Sequence, residues 1–309
     1  LAIVEPGAVD ELKAILSLAR NYKFSVWPQS QGRNWGYGAS IPLGENGVVV
    51  LLRRLNKIHF VDPDLAYAVI EPGVTYQQFY DYISKNYPSL WIDSIDGTPN
   101  GSVLGNALER GVGPTPYGDH FGQICGMDVL LANGDVIHTG GGRDVKTFHT
   151  YRWGAGPVVD GLFSQSNFGI VLKAGIWLMP KPEHFESFFF ESNDNVSIGV
   201  LIEKLRPLFL QGVLRGTIRM INGITAVSLL DQHPRLTAPC MNLEEIDSLR
   251  KSHGLAKWSM SAGLYGSKIQ VIGQKRNLKK KIRSLGKVFF LSHFAISFIE
   301  KYIWFIKRQ

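Results

Sequence analysis

The sequence contains only two cysteines, Cys125 and Cys240, and no Cys-x-x-Cys pair or cysteine–histidine cluster. Two cysteines cannot form a disulfide framework, and the missing cluster argues against a metal site. Intrinsic disorder is excluded for the bulk of the chain, because 45% of the 309 residues are hydrophobic and 11% are aromatic. We therefore expect a globular protein with a sizeable core and no bound metal.

Positive charge is scarce outside the C-terminal stretch. Residues 268–309 hold 11 Lys and Arg side chains and one acid, Glu300, which gives a net charge of +10. Residues 1–267 carry 22 basic and 25 acidic side chains, which gives −3. The net charge of +7 for the whole chain therefore reflects its C-terminal stretch, and we expect no nucleic-acid partner.

Long apolar runs are also absent. The most apolar stretch, residues 288–306, is interrupted by Ser292, His293, Glu300 and Lys301, so no membrane span is predicted. A basic amphipathic helix on a membrane surface is one alternative for residues 275–309, and a helix followed by a strand is the preferred one. The first nine residues show no secretory signal, and the sequence does not indicate a compartment.

The order of helices and strands predicts an α+β fold. Apolar spacing predicts a helix at 9–22, followed by a strand at 24–27 that we expect to stop at Pro28. Residues 127–139 predict a hairpin, because Asn133-Gly134 favours a type I′ turn.

A domain boundary is predicted at the Pro-Lys-Pro of residues 180–182. After it, strands and helices alternate again, which indicates the opening of a second α+β domain. The predicted elements are strands at 185–190, 216–221 and 258–265 and helices at 196–210 and 243–252. We expect domains at 1–182 and 183–287 and a divergent basic and aromatic tail at 288–309.

Glycine is concentrated in two stretches. The first, Gln29 to Gly38, follows a predicted strand but matches neither the G-x-G-x-x-G nor the Walker pattern. The second, residues 101–120, holds five glycines and two prolines together with polar side chains. Glycine lets the backbone approach a ligand closely, and two such loops in one core are typical of a large, phosphate-bearing ligand.

Four segments resemble one family closely. They are Gly32 to Gly38, Val69 to Thr75, Gly101 to His120 and Asp160 to Val171. Their sequences resemble the vanillyl-alcohol oxidase / p-cresol methylhydroxylase family of FAD-dependent oxidoreductases. The resemblance runs from about residue 3 to 190, and more loosely to 287. It implies an FAD-binding domain of two α+β subdomains with FAD between them, followed by an incomplete α+β cap domain over the substrate.

The resemblance also implies which residues hold FAD. The loop 30–38 would wrap the pyrophosphate, the segment 101–120 would line the ribityl chain and the flavin ring, and residues 169–171 would lie against the adenine. The implied FAD-binding residues are Ser30, Gln31, Gly32, Arg33, Asn34, Gly36, Gly38, Gly101, Ser102, Gly105, Asn106, Gly111, Gly113, Thr115, Tyr117, Gly118, Asp119, His120, Gly169, Ile170 and Val171.

Family members of this type oxidise para-substituted phenols, such as aryl alcohols, alkylphenols and allylphenols, by hydride transfer to flavin N5. The resemblance implies that Tyr37 helps bind the phenolate and that Asp96 is the acid beside the flavin ring. Asp93 is the alternative acid, because this chain has one more residue before Gly101 than the family spacing. Pro114 stands where the family usually has tyrosine.

Several alternatives stay open. The family's segment before Leu1 and its flavin-linking region after Lys287 are not matched, so we expect a fragment, and an inactive flavin-binding remnant is one alternative. A second alternative keeps the fold and oxidises 2-hydroxy acids or sugar lactones. Oxygen and a cytochrome are the two candidate electron acceptors, and a homo-oligomer is left open.

Overall fold

The computed structural model describes residues 2–34, 42, 44, 46–230, 241–292 and 295. The chain divides into two compact units, one from residues 1–113 and 117–181 and one from residues 114–116 and 182–309. The strands are β1 (Ala2–Val4), β2 (Ser25–Gln29), β3 (Gly47–Leu51), β4 (Ile58–Asp62), β5 (Tyr67–Ile70), β6 (Leu90–Trp91), β7 (Ile124–Leu130), β8 (Val136–His138), β9 (Ile170–Trp177), β10 (Met179–Pro180), β11 (His184–Ser192), β12 (Arg219–Asn222), β13 (Trp258–Gly266) and β14 (Gly286–Ser292). The helices are α1 (Val9–Tyr22), α2 (Tyr76–Asn86), α3 (Val103–Leu108), α4 (Ile198–Leu210), α5 (Gly223–Leu230), α6 (Leu243–Ser252) and α7 (Lys268–Ile282).

The first layer of the first unit is a parallel sheet in the order β1-β3-β2, with α1 packed through Leu12 and Leu16. The predicted bounds of α1 are confirmed, and Lys23 ends the helix in the left-handed region. The expectation that β2 stops at Pro28 is wrong, because the strand continues to Gln29. Strand β2 lies at the edge of the sheet, where a residue without an N–H is tolerated.

The second layer of this unit is an antiparallel sheet in the order β4-β5-β9-β7-β8. Its main core joins the sheet to α2 and α3 through the buried residues Phe79, Ile83, Val103, Leu104, Ile124, Met127 and Ala174. The predicted hairpin is confirmed as β7 and β8, but its type I′ turn is wrong. Only Gly134 has a positive φ, and Leu131 N–H donates to Asp135 O, so the loop is longer than two residues.

The second unit is an antiparallel sheet in the order β12-β13-β11-β14. Helices α4 and α7 contribute to a core with Phe188, Phe190, Leu201, Leu205, Met260, Leu264, Val271 and Leu278. Helix α7 followed by β14 matches the helix-then-strand alternative, and β14 crosses the predicted domain limit at residue 288. The α+β class is confirmed for the chain. Over the described ranges, no helix has the length and apolar character of a membrane span.

Candidate functional site

The two glycine-rich stretches meet where β2 ends and α3 begins. A Cβ atom at Gly105 would clash with Ser30 Oγ, so the loop after β2 lies directly against α3. One residue further, Gln31 Nε2 donates a hydrogen bond of 2.6 Å to Gly73 O. Three separate segments therefore converge at this point, and two of them are the stretches that the sequence indicates.

Ser102 fixes the start of α3. Its hydroxyl donates to Pro72 O at 2.6 Å and accepts from Gly105 N–H at 2.8 Å, and its side chain is buried. Just before it, Gly101 N–H donates to Thr98 O at 2.9 Å. A serine that caps a helix and also bonds the neighbouring turn holds the backbone of both in one geometry.

A buried polar network lies behind α3. His120 Nδ1 is 2.6 Å from Asn106 Oδ1, and His120 Nε2 is 3.2 Å from Asp93 Oδ2. Tyr76 donates its hydroxyl hydrogen to Asn106 Oδ1 at 3.2 Å. Burial first, and then the negative charge of Asp93, raises the pKa of Tyr76 well above its ordinary value, so Tyr76 stays a neutral donor.

A cavity of about 20 Å³ opens beside this network. That volume is about what one water molecule needs. Polar and apolar side chains both face it. The lining residues are Tyr76, Phe79, Ile92, Asp93, Val103, Tyr117, His120, Gln123, Ile176, Trp177 and Leu178.

Gly111 and Gly113 lie against side chains of the buried polar network. A Cβ atom at Gly111 would clash with the Asn106 carboxamide, and one at Gly113 would clash with Asp93 Oδ2 and lie 2.6 Å from His120 Nε2. The absence of side chains at these positions therefore makes room for the buried network. Their direct contact with FAD stays a prediction.

The chain returns on itself between residues 111 and 120. Gly113 N–H donates to Gly118 O at 3.0 Å, and Asp119 Oδ1 accepts from Gly122 N–H at 3.0 Å. Tyr117 lines the cavity described above. Thr115 is buried and lies in the segment 114–116 that groups with the second unit.

Gly169 directly precedes β9, and Ile170 and Val171 are its first two residues. A Cβ atom at Gly169 would lie 2.5 Å from Val129 Cγ1. The side chains of Ile170 and Val171 are buried in two different cores, so only the main chain of this segment remains available to a ligand.

The two candidate acids have different environments. Asp96 is exposed on the loop between β6 and α3, whereas the Asp93 side chain is only 5% exposed and pairs with His120. The predicted residues Gly36, Tyr37 and Gly38 lie outside the described residues. Of the same loop, Gly32 has a φ of +64°, and Arg33 and Asn34 are exposed.

Sequence reasoning missed Tyr76 and Gly73 as parts of the site. Both belong to the segment after β5, and the Val69 to Thr75 motif was the available signal. It also missed Gln29, whose buried Oε1 has no hydrogen-bond partner at the point where the first glycine-rich stretch begins. A buried acceptor of this kind is expected to meet a donor.

Three comparisons with known proteins bear on this site. Residues 1–140 match the model of a family described as an FAD binding domain. The flavoprotein subunit of 4-cresol dehydrogenase from Pseudomonas putida is 35% identical over 93% of this chain and 56% of its own length. The solved structure of p-cresol methylhydroxylase with substrate bound has a TM-score of 0.87 and 34% identity, over 94% of this chain and 57% of its own. The chain therefore matches the vanillyl-alcohol oxidase / p-cresol methylhydroxylase family over nearly its whole length.

A second curated relative is named for a different reaction, a decarboxylation. The 1'-carboxy-chondrochloren decarboxylase of Chondromyces crocatus is 36% identical over 91% of this chain and 53% of its own length. The chain therefore spans about half the length of the curated relatives it matches. The first unit carries the family's FAD-binding domain, which confirms FAD as the cofactor.

The described residues fit FAD. The Ser30 side chain packs directly against the Gly105 backbone, so the two glycine-rich stretches are adjacent, as the two walls of a dinucleotide site are. Gln29 Oε1 and Asp160 Oδ1 are buried acceptors without hydrogen-bond partners in the structure. Ribose and ribityl hydroxyls are donors that such oxygens can accept from.

Proposed function

We propose that this protein oxidises para-substituted phenols with FAD. The observation that carries the proposal is the approach of Ser30 to Gly105, which joins the two glycine-rich stretches within the family's FAD-binding domain. The names of the 4-cresol dehydrogenase subunit and of p-cresol methylhydroxylase support a para-alkylphenol as the substrate class. FAD supplies a hydride acceptor when it is bound.

In this proposal the chain's own residues bind, orient and move protons. The backbone of residues 30–38 and 101–120 holds the cofactor, and the main chain of residues 169–171 faces the adenine. Tyr37 donates a hydrogen bond to the phenolate, which keeps the ring electron-rich. Asp96 lies on an exposed loop, and its carboxylate takes up the proton that water releases when it adds to the oxidised substrate.

The second unit is proposed as part of the cap over the substrate. Its sheet buries one face against α4 and α7. The electron acceptor is proposed to be a partner protein such as a cytochrome, because one relative is named as a flavoprotein subunit. Oxygen is the alternative acceptor, and mixing the reduced protein with oxygen or with a cytochrome separates the two.

The test is an anaerobic titration of the FAD-loaded protein, followed by flavin absorbance. We expect 4-cresol to bleach the flavin band and 3-cresol to leave it unchanged, because a para methyl group conjugates with the phenolate oxygen and a meta methyl group does not. Bleaching by a 2-hydroxy acid or a sugar lactone, but not by 4-cresol, would contradict the phenol assignment. Tight FAD binding without bleaching by any of these compounds would instead support the inactive flavin-binding remnant.

A further inference from the structure

We propose that Asp93 and His120 form a buried ion pair, with both ring nitrogens of His120 protonated, that positions the loop carrying Asp96. The positioning role rests on the proposed function of Asp96. The proton assignment does not, because it follows from the geometry of the pair alone.

The proton assignment follows from the two partners of the imidazole ring. His120 Nδ1 faces Asn106 Oδ1 at 2.6 Å, and His120 Nε2 faces Asp93 Oδ2 at 3.2 Å. The Tyr76 hydroxyl lies 3.4 Å from Nδ1 and directs its hydrogen to Asn106 Oδ1 at the shorter distance of 3.2 Å. A carboxamide oxygen and a carboxylate oxygen can only accept, so each ring nitrogen must donate a hydrogen.

The surroundings favour a fixed pair. Both side chains are 5% exposed, and the nearby cavity has apolar walls from Phe79, Ile92 and Ile176. Among the described residues that line the cavity, the other titratable groups are Tyr76, whose ring centre lies 6.3 Å from that of His120, and Tyr117. Low polarity strengthens the attraction between the charges and makes loss of either partner costly.

The pair also fixes the course of the chain towards Asp96. Asp93 Oδ1 accepts a hydrogen bond of 3.0 Å from Ser94 N–H, while its other oxygen faces His120. One carboxylate therefore turns the backbone at the start of the exposed loop and ties it to the segment that ends at residue 120. Gly113 leaves the space in which this contact forms. We assign Asp93 and His120 as positioning residues and Asp96 as the residue they position.

The first test is nitrogen NMR of the imidazole of His120, with the spectrum of His120→Gln used to identify its signals. At neutral pH we expect both ring nitrogens of the unmodified protein to show the shifts of protonated nitrogens. In Asp93→Asn we expect one nitrogen to lose its proton. A deprotonated ring nitrogen in the unmodified protein would overturn the assignment, whatever the protein's substrate.

The second test is the rate of flavin reduction by 4-cresol in Asp93→Asn, Asp93→Glu and His138→Asn. We expect Asp93→Asn to slow reduction by about tenfold to a hundredfold with 4-cresol affinity unchanged, because small misplacements of a reacting group have effects of that size. Asp93→Glu keeps the carboxylate and is expected to restore part of the rate. If Asp93→Asn does not fold, the rate of Asp93→Glu still tests the positioning role.

His138→Asn is the matched control, because His138 pairs with Asp128 at 2.6 Å away from the site. We expect it to leave the rate and its pH profile unchanged. An unchanged rate and pH profile in Asp93→Asn would overturn the positioning role. Failure of 4-cresol to reduce the unmodified protein would overturn the proposed function, while the NMR result still decides the ion pair.

Discussion

Each unit of the molecule contains a carboxylate paired with a histidine, and the two clusters differ in their access to water. In the first unit Asp93 and His120 are both 5% exposed. In the second unit Glu186, whose side chain is 9% exposed, accepts from His184 at 3.2 Å and from Lys275 at 2.5 Å, and these two donor side chains are 28% and 31% exposed. Water can replace a lost partner in the second cluster and has little access to the first. The carboxylate is therefore buried in both clusters, but only in the second are the side chains that bind it partly exposed.

Removing one cation from each cluster should produce the largest difference. We expect His120→Leu to lower the free energy of unfolding of the first unit by about 3–5 kcal/mol, because the buried Asp93 carboxylate and Asn106 Oδ1 both lose the imidazole. Lys275→Met should cost less, about 1 kcal/mol, because Lys275 is 31% exposed and the buried Glu186 keeps His184 as a partner. Urea unfolding of both variants measures the difference, and equal losses would remove the distinction between the clusters.

A glycine-to-alanine substitution should lower the stability of the first unit at one position and raise the stability of the second unit at another. Gly113→Ala places a methyl group against Asp93 and His120, and we expect a loss of about 1–3 kcal/mol from overpacking. Gly273 lies inside α7 with no atom near the position of an added Cβ. Gly273→Ala should therefore raise stability by about 0.5–1 kcal/mol, because alanine restricts the unfolded chain and favours the helix. Thermal unfolding of the two variants checks both signs, and destabilisation by Gly273→Ala would show hidden strain in α7.

Features that depend on neighbouring residues could be predicted from the sequence, and features that depend on tertiary contacts could not. The bounds of α6 match the prediction, because Asn242 and Glu245 form a capping box at its start. Asp93 and His120 are 27 residues apart, and no local pattern indicates that they meet. Gly113 was interpreted as a point of ligand approach, because the sequence does not show which side chains lie against it.

The same limit applies to strand β2 and to the β7–β8 turn. Pro28 is a strong local signal for a strand end, but its effect depends on whether the strand lies at an edge, which only the sheet order decides. Asn133-Gly134 correctly indicated a hairpin, whereas the turn type follows from the register in which Leu130 pairs with Val136. The family motifs predicted the FAD-binding domain, because a resemblance over several segments carries information about tertiary contacts that a local pattern lacks.

The smallest predicted effect is the acid sensitivity of the second cluster. Burial alone would raise the pKa of Glu186, but hydrogen bonds from Lys275 and His184 lower it below its ordinary value of 4.5. A carboxylate with a lowered pKa in the folded state stabilises the protein above that ordinary value and loses this contribution as the pH falls through the folded pKa. We therefore expect the difference in melting temperature between the unmodified protein and Glu186→Gln to shrink as the pH falls below 4.5. Glu203→Gln, which removes an exposed carboxylate of the same unit, controls for the change in net charge. A difference that stays constant through this range would show that Glu186 contributes by packing and not by its charge, and the two clusters would then differ in kind as well as in exposure.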